Sequence, residues 1–282
     1  MKKLINYLLI ICVTLCLPFG FASCKKQLVI AIPNDTTNES RALLLLQEHG
    51  IINLKDGTDV NATVRDIIDN PYDIKFEEIE AALLPAALND VDFAVINSNY
   101  AIAKGLNPVK DAFFSENDSS PYSNVVAVKG ENKDNALIAA LIAALSSSRV
   151  ADFIAKKYNG AVISVVQSFT DGYDKNVDYP SLSGRRLSVA ASPTPHAEIL
   201  KIAKEILAEK DITLKIIEFT DYVQPNVVVA SGEVDANYFQ HLPFLKDFNQ
   251  KNDANLVSVG AIHVEPLGLY GGKQKSLAVF GL

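Results

Sequence analysis

The sequence predicts an α/β protein of two lobes, each a mainly parallel sheet flanked by helices, and three observations carry that prediction. Continuous apolar, β-branched runs such as LVIAI (28–32) and DFAVIN (92–97) have the pattern of strands buried on both faces. Segments with helical spacing stand between such runs, and a strand–helix alternation defines an α/β lobe. A polar, turn-rich stretch, QSFTDGYDKNVDYPSLSGR (167–185), then interrupts the rhythm before it restarts.

The elements follow in order. After LVIAI, the segment PND supplies turn chemistry, and SRALLLLQEHGII is a helix with Gly50 as its stop. The spacing of 63–70 predicts a short helix ended by Asn70-Pro71. IKFEEI alternates as a strand, AALLPAALND is a helix interrupted by Pro85, and DFAVIN is the second buried strand. A loop-rich stretch runs to Pro121, followed by the strand NVVAVKG and one long Ala-rich helix from about 134 to 157. Beyond the linker come RLSVAAS as a strand, HAEILKIAKEILAEK as a helix and LKIIEF as a strand. A helix from Gln224, the strand DANYF, a helix over 242–249 and the strand LVSVGAI complete the series.

Composition narrows the function. Hydrophobic residues make up 49% and charged residues 21%, too apolar for a disordered chain. A net charge of -7 offers no basic stripe for phosphates, so nucleic acid is excluded as a partner. Residues 1–23 combine two lysines, an apolar run and small residues before Cys24, the pattern of a cleaved export signal. Ala22-Ser23-Cys24 is similar to a bacterial lipobox, with Cys24 the expected lipidation site and Phe21 where Leu is usual. All three cysteines lie in this leader, leaving the remaining chain without a disulfide or a thiol nucleophile. Neither a nucleophile elbow nor a phosphate-binding loop is present, and the four histidines have no metal-ligand spacing, so neither enzyme activity, a cofactor nor a metal is expected.

What recurs is polar residues just after strand ends, where open α/β sheets bind ligands. Asn38 and Arg41 fall at the opening of the first helix, and Arg41 offers a planar fork matched to a carboxylate. A salt bridge is the equally open reading for Arg41. Asn97 follows DFAVIN, placed either to contact a zwitterion or to form a turn. Tyr222, Phe239, His241 and Phe244 follow later strands and could either wall an apolar slot or fill a core. Taken together these groups suit an amino acid with an apolar tail.

The strings IPNDTTNESRALLLLQEHGIINLKDG, DIIDNPYDIKFEEIEAALLPAALNDVDFAVINSNYA and SPYSNVVAV resemble the second half of the NlpA-type methionine-binding lipoproteins. SPTPHAEIL, FTDYVQPN, GEVDANYFQHLPFL and EPLGLYGGKQKSL resemble that family's first half, so the halves stand in circularly permuted order. The resemblance implies a type II periplasmic-binding-protein-like fold and the substrate-binding role of a methionine ABC importer. The implied partners are L-methionine or a similar amino acid, the permease and ATPase subunits, and a membrane reached through the lipid anchor, with the protein a monomer. It implies Arg41 on the α-carboxylate, Asn38, Asn97 and Asn124 on the amino-acid end, and Tyr222, Phe239, His241 and Phe244 around the thioether. Ser40 stands where the family usually has Gly, and Phe244 where it often has Tyr. The expected division is lobe 2 over 27–97 and lobe 1 over 98–282, with 167–185 a flexible linker and one hinge crossing near Asn97–Tyr100. A surface lipoprotein acting as an adhesin on the same fold is the alternative.

Overall fold

The structure is a computed structural model that describes residues 27–117 and 122–282. The leader and Cys24 lie outside these residues. Two sheets organise the chain, and each begins where a buried apolar run was expected. Strand β1 (Val29–Pro33) pairs in parallel with β4 (Lys75–Ile79) on one side and β5 (Phe93–Ile96) on the other. Two strands not evident in the sequence continue this sheet: β13 (Gly268–Gly271) pairs antiparallel with β5, and β6 (Ala112–Ser115) with β13. The second sheet has the order β10 (Thr213–Glu218), β9 (Arg186–Ala191), β11 (Ala236–His241), β7 (Asn124–Lys129), β12 (Leu256–Val264), β8 (Ile163–Ser164). Its β10, β9 and β11 run parallel, and the remaining strands are antiparallel to their neighbours.

This pairing redraws the lobe boundary. The expected cut at Asn97/Ser98 is not the one observed, because β6 and β13 hydrogen-bond into the sheet of β1. Lobe 2 comprises about 27–116 with 268–282, and lobe 1 comprises 124–264. Two chain crossings connect them, one between β6 and β7 and one at 265–267, in place of the single crossing expected near Asn97–Tyr100. The crossings are bonded to one another: Glu116 N–H donates to the Leu267 carbonyl at 2.9 Å, and Leu267 N–H donates to Glu116 Oε2 at 3.1 Å.

Helix α1 (Thr36–Glu48) starts where Asp35 accepts from the Asn38 N–H at 3.0 Å, and ends before Gly50, whose φ of 69° suits glycine. It packs Leu43, Leu45 and Leu46 against Ile30, Ile32 and Phe93 in the lobe 2 core. The expected helix over 63–70 is a single 3-10 turn, Val64–Asp66, followed by β3 (Ile67–Asp69) paired with β2 (Asn53–Leu54). Thr63 and Asp66 close a capping box there, and the β-branched pair Ile67–Ile68 then favours strand over helix.

The Ala-rich run is two helices, α4 (Ala136–Leu145) and α5 (Ser148–Tyr158). Ser147 caps the second by accepting from Val150 N–H at 3.2 Å. The linker 167–185 closes this break: Thr170 N–H donates to the Ser146 carbonyl at 3.0 Å and its carbonyl accepts from Ser148 N–H at 3.2 Å. The linker is therefore no flexible coil. Tyr179 and Leu182, on the short helix α6 (Tyr179–Leu182), are buried in the lobe 1 core, with Tyr173 and Val177 against it. Their irregular spacing hides this anchoring from a search for periodicity. Among the described residues no helix is long and apolar enough to cross a membrane.

The chain end folds back onto the first strand's core. Phe280 is buried in the cluster of Ile30 and Phe93, with Leu28 packed on the same cluster. Its ring lies 5.1 Å from that of Phe93 and 5.0 Å from that of Tyr72. Tyr72 Oη donates to the Phe280 carbonyl at 2.8 Å. Phe280→Ala is expected to cost about 3–5 kcal/mol in urea unfolding, the loss of a buried aromatic, where an undocked terminal segment would cost almost nothing.

Candidate functional site

Three stretches of backbone converge between the lobes. Helix α1 brings Asn38 and Arg41, both buried, from lobe 2, and Asn97 caps α3 (Ser98–Ala103) at the end of β5. From lobe 1 come Asn124 at the start of β7, Phe239 and His241 at the end of β11, and Phe244 in α9 (Leu242–Asn252). Tyr222 precedes α8 (Gln224–Ser231). All eight line one cavity between the lobes. Ser98, Asn99, His196, Gln240 and Glu265 line it as well and were not singled out in the sequence.

The aromatic residues form a connected wall. Tyr222 lies 6.0 Å from Phe239 and 5.8 Å from Phe244, ring to ring, and Phe239 lies 5.9 Å from Phe244. His241 meets Phe244 at 6.2 Å and Tyr122 at 5.0 Å. Tyr222 keeps its polar tip satisfied by donating to Asn99 Oδ1 at 2.6 Å. Burial holds the His241 imidazole neutral, well below its ordinary pKa, and the Arg41 charge acts in the same direction.

The polar side is a chain of amides across the cleft. Asn38 donates to both Asp35 carboxylate oxygens, at 2.9 and 3.0 Å, which fixes its Oδ1 as the acceptor facing the cavity. That oxygen accepts from Asn97 Nδ2 at 2.8 Å and lies 3.3 Å from His241 Nε2 in the other lobe. Asn97 Oδ1 is then left buried with no hydrogen-bond partner in the structure, an acceptor facing the cavity. An unpaired buried acceptor costs about 1–3 kcal/mol, which a donor in the cavity would recover.

Arg41 differs most from expectation. Its Nε and Nη2 are bidentate on Glu116, at 2.7 and 2.5 Å, and Nη2 also donates to the Glu265 carbonyl at 2.8 Å. One edge of the fork is thus committed to both lobe crossings. The guanidinium lies 4.5 Å from the Tyr122 ring centroid. Of the two readings open for Arg41, a salt bridge is present, buried and not on the surface.

The histidines scattered in sequence are not all scattered in space. His196, His263 and Glu265 meet at the cavity floor: His263 Nε2 donates to Glu265 Oε1 at 2.8 Å, and His196 Nε2 lies 3.3 Å from the same oxygen and 2.9 Å from Asn124 Oδ1. Sequence spacing carried no sign of this group, since 67 residues separate the two histidines (263 minus 196). Burial lowers the pKa of both imidazoles to about 3 and raises that of Glu265.

Two lobes, two crossings and a mixed aromatic and amide cavity between them define a cleft-type ligand-binding protein. The NlpA lipoprotein family model matches residues 21–166 and 187–280, and the chain belongs to that family. It is 42% identical over 134 residues to the probable D-methionine-binding lipoprotein MetQ of Pasteurella multocida, which covers 48% of this chain and 49% of that protein. It is 43% identical over 136 residues to the membrane lipoprotein TpN32 of Treponema pallidum, covering 48% and 51%. The chain spans about half the length of the curated relatives it matches. Among solved structures it is similar to a nutrient-binding protein from Burkholderia cenocepacia bound to methionine, at 48% identity over 49% of this chain and 59% of that one, with a TM-score of 0.46.

Two predictions follow from this geometry. Glu116→Gln leaves the Arg41 charge buried without its counter-ion and is expected to cost about 3–5 kcal/mol in urea unfolding. The histidines set a pH dependence: each takes up a proton at pH 6.5 when unfolded but only near pH 3 when folded. The unfolded state therefore binds more protons between these values, and stability is full above pH 6.5 and lost as pH falls. The two histidines act in the same direction in that window, while the raised pKa of Glu265 opposes them over its upper-acid part, and urea unfolding at a series of pH values from 7 to 4 reads the net loss.

Proposed function

We propose that the protein is the substrate-binding component of an ABC importer, taking methionine or a similar apolar amino acid between its lobes and delivering it to permease and ATPase subunits. The observation that carries this reading is the cavity itself. It joins a buried acceptor without a partner, Asn97 Oδ1, to a wall of Tyr222, Phe239, His241 and Phe244. An ammonium supplies the missing donor, and a thioether suits aromatic rings, at about 0.3–1.5 kcal/mol per sulfur contact. Asn38, Asn97 and Asn124 would hold the amino-acid end. With Nε and Nη2 of Arg41 committed to Glu116, the ligand carboxylate would be met through Nη1. Relatives named as D-methionine-binding lipoproteins support the ligand class. The lipid anchor at Cys24 and a monomeric state belong to the same reading.

We also infer that the order of the two halves is a circular permutation. Its support is the two-block family match, the half-length alignments to relatives, and Phe280 lying in the same core as Leu28. The join then falls between β13 and β1, inside lobe 2, so both crossings remain covalent and the hinge keeps its connectivity.

Isothermal titration with L- and D-methionine tests the function. Binding with a Kd between about 10 nM and 1 μM, or about -8 to -11 kcal/mol, is expected. Asn97→Ala should weaken it by about 1–3 kcal/mol. No heat and no shift in melting temperature with either enantiomer, or with leucine, would remove the proposal's basis.

A further inference from the structure

We infer that His196, His263 and Glu265 form a site for a divalent transition-metal ion of the Zn2+ type, at the floor of the cavity, beside Asn124 and apart from the aromatic rings that take the organic ligand. The donor atoms lie within 4.8 Å of one another, and all three residues are buried. Two imidazoles and one carboxylate are a donor set that zinc takes with a fourth position open. That fourth position faces the cavity, since His196 and Glu265 line it and His263 stands behind them.

Charge points the same way. Arg41 is the cation near this group, and its charge is matched by Glu116 at 2.5 Å. The Glu265 carboxyl group is met by the two imidazoles, while Arg41 bonds only its backbone carbonyl. Among the described residues no Lys or Arg side chain bonds that carboxyl group, so no cation of the chain itself stands between the three donors.

The geometry needs two adjustments, the loss of the 2.9 Å contact between His196 Nε2 and Asn124 Oδ1 and a spreading of the donors. Metal–ligand bonds of about 2.0–2.2 Å in a tetrahedron place the ligand atoms about 3.4 Å apart. His196 Nε2 stands 3.3 Å from Glu265 Oε1, and His263 Nε2 would move outward from 2.8 Å. Each imidazole binds through Nε2 once its proton has shifted from that atom, where it now faces Glu265 or Asn124, to Nδ1. For His263, the Tyr238 hydroxyl on Nδ1 is in place to accept that proton's hydrogen bond and hold the ring.

The test uses the full chain, stripped with a chelator and titrated with Co2+, with Zn2+ as competitor. A single equivalent is expected, giving the visible d–d bands of tetrahedral cobalt, which Zn2+ then erases. Glu265→Gln, nearly isosteric, and His263→Ala should each remove the bands. Tyr238→Phe should weaken binding by roughly 10- to 100-fold. His49→Ala, remote from the site, should leave the bands unchanged. Absence of bands in the wild-type protein, or bands that survive both ligand variants, overturns the inference. Methionine titration of the metal-free samples keeps the two readings apart: if the wild-type protein ignores Co2+ while Glu265→Gln loses methionine, Glu265 meets the ligand's ammonium, and the metal site is refuted while the transport reading stands.

Discussion

The ion pair between Arg41 and Glu116 is the constraint on which the architecture of the cleft depends. Glu116 begins one lobe crossing and Glu265 the other, and Arg41 bonds both from a helix of lobe 2. Burial alone would depress the guanidinium's affinity for its proton, and Glu116 more than offsets it, so the charge is retained inside. Such a pair contributes little net stability against an apolar replacement, yet removing one partner is costly. Its value here is positional. It fixes α1 against both crossings, and α1 carries Asn38, whose Oδ1 anchors Asn97 and faces His241 across the cleft.

A hinge built this way needs two chain connections held side by side. Glu116 and Leu267 exchange bonds across the crossings, and Ser98 Oγ donates to the Pro266 carbonyl, so the two connections are bonded together. The lobes also meet through buried contacts in the cleft, Tyr222 Oη to Asn99 Oδ1 at 2.6 Å and His241 Nε2 to Asn38 Oδ1 at 3.3 Å, and through exposed ones, Lys251 Nζ to Thr36 Oγ1 at 2.6 Å and Tyr100 Oη to the Thr220 carbonyl at 2.9 Å. Exposed contacts of that kind are weak and salt-sensitive. Opening about the crossings gives up the buried cleft contacts, and a ligand that bonds both lobes favours closure by its differential contacts. The inferred permutation respects this design, because the reordered join lies in the lobe 2 core, away from the crossings.

The parts legible in the sequence are those written in local patterns. Apolar runs pointed to β1, β5, β9 and β11, polar or aromatic residues beyond strands pointed to Asn38, Arg41, Asn97, Tyr222, Phe239, His241 and Phe244, and Asn124 came from the family resemblance. The parts that were not legible depend on distant pairing. AFFS and GLYG are too short and mixed to declare themselves as strands, and they are strands only because β5 and β13 supply partners. Glu116 lies 75 residues from Arg41, and Glu265 reaches it only through the second crossing. The helix break at Ser146–Ser147 is set by bonds to Thr170, and no periodicity of the Ala-rich run could have shown it.

A crystal structure of the protein with methionine addresses the central claim most directly. The account predicts the thioether among Tyr222, Phe239, His241 and Phe244, the ammonium within hydrogen-bond distance of Asn97 Oδ1, and the Arg41–Glu116 pair intact. A ligand bound outside the cleft, or an Arg41 that leaves Glu116 to take the ligand carboxylate with its Nε–Nη2 edge, would contradict it.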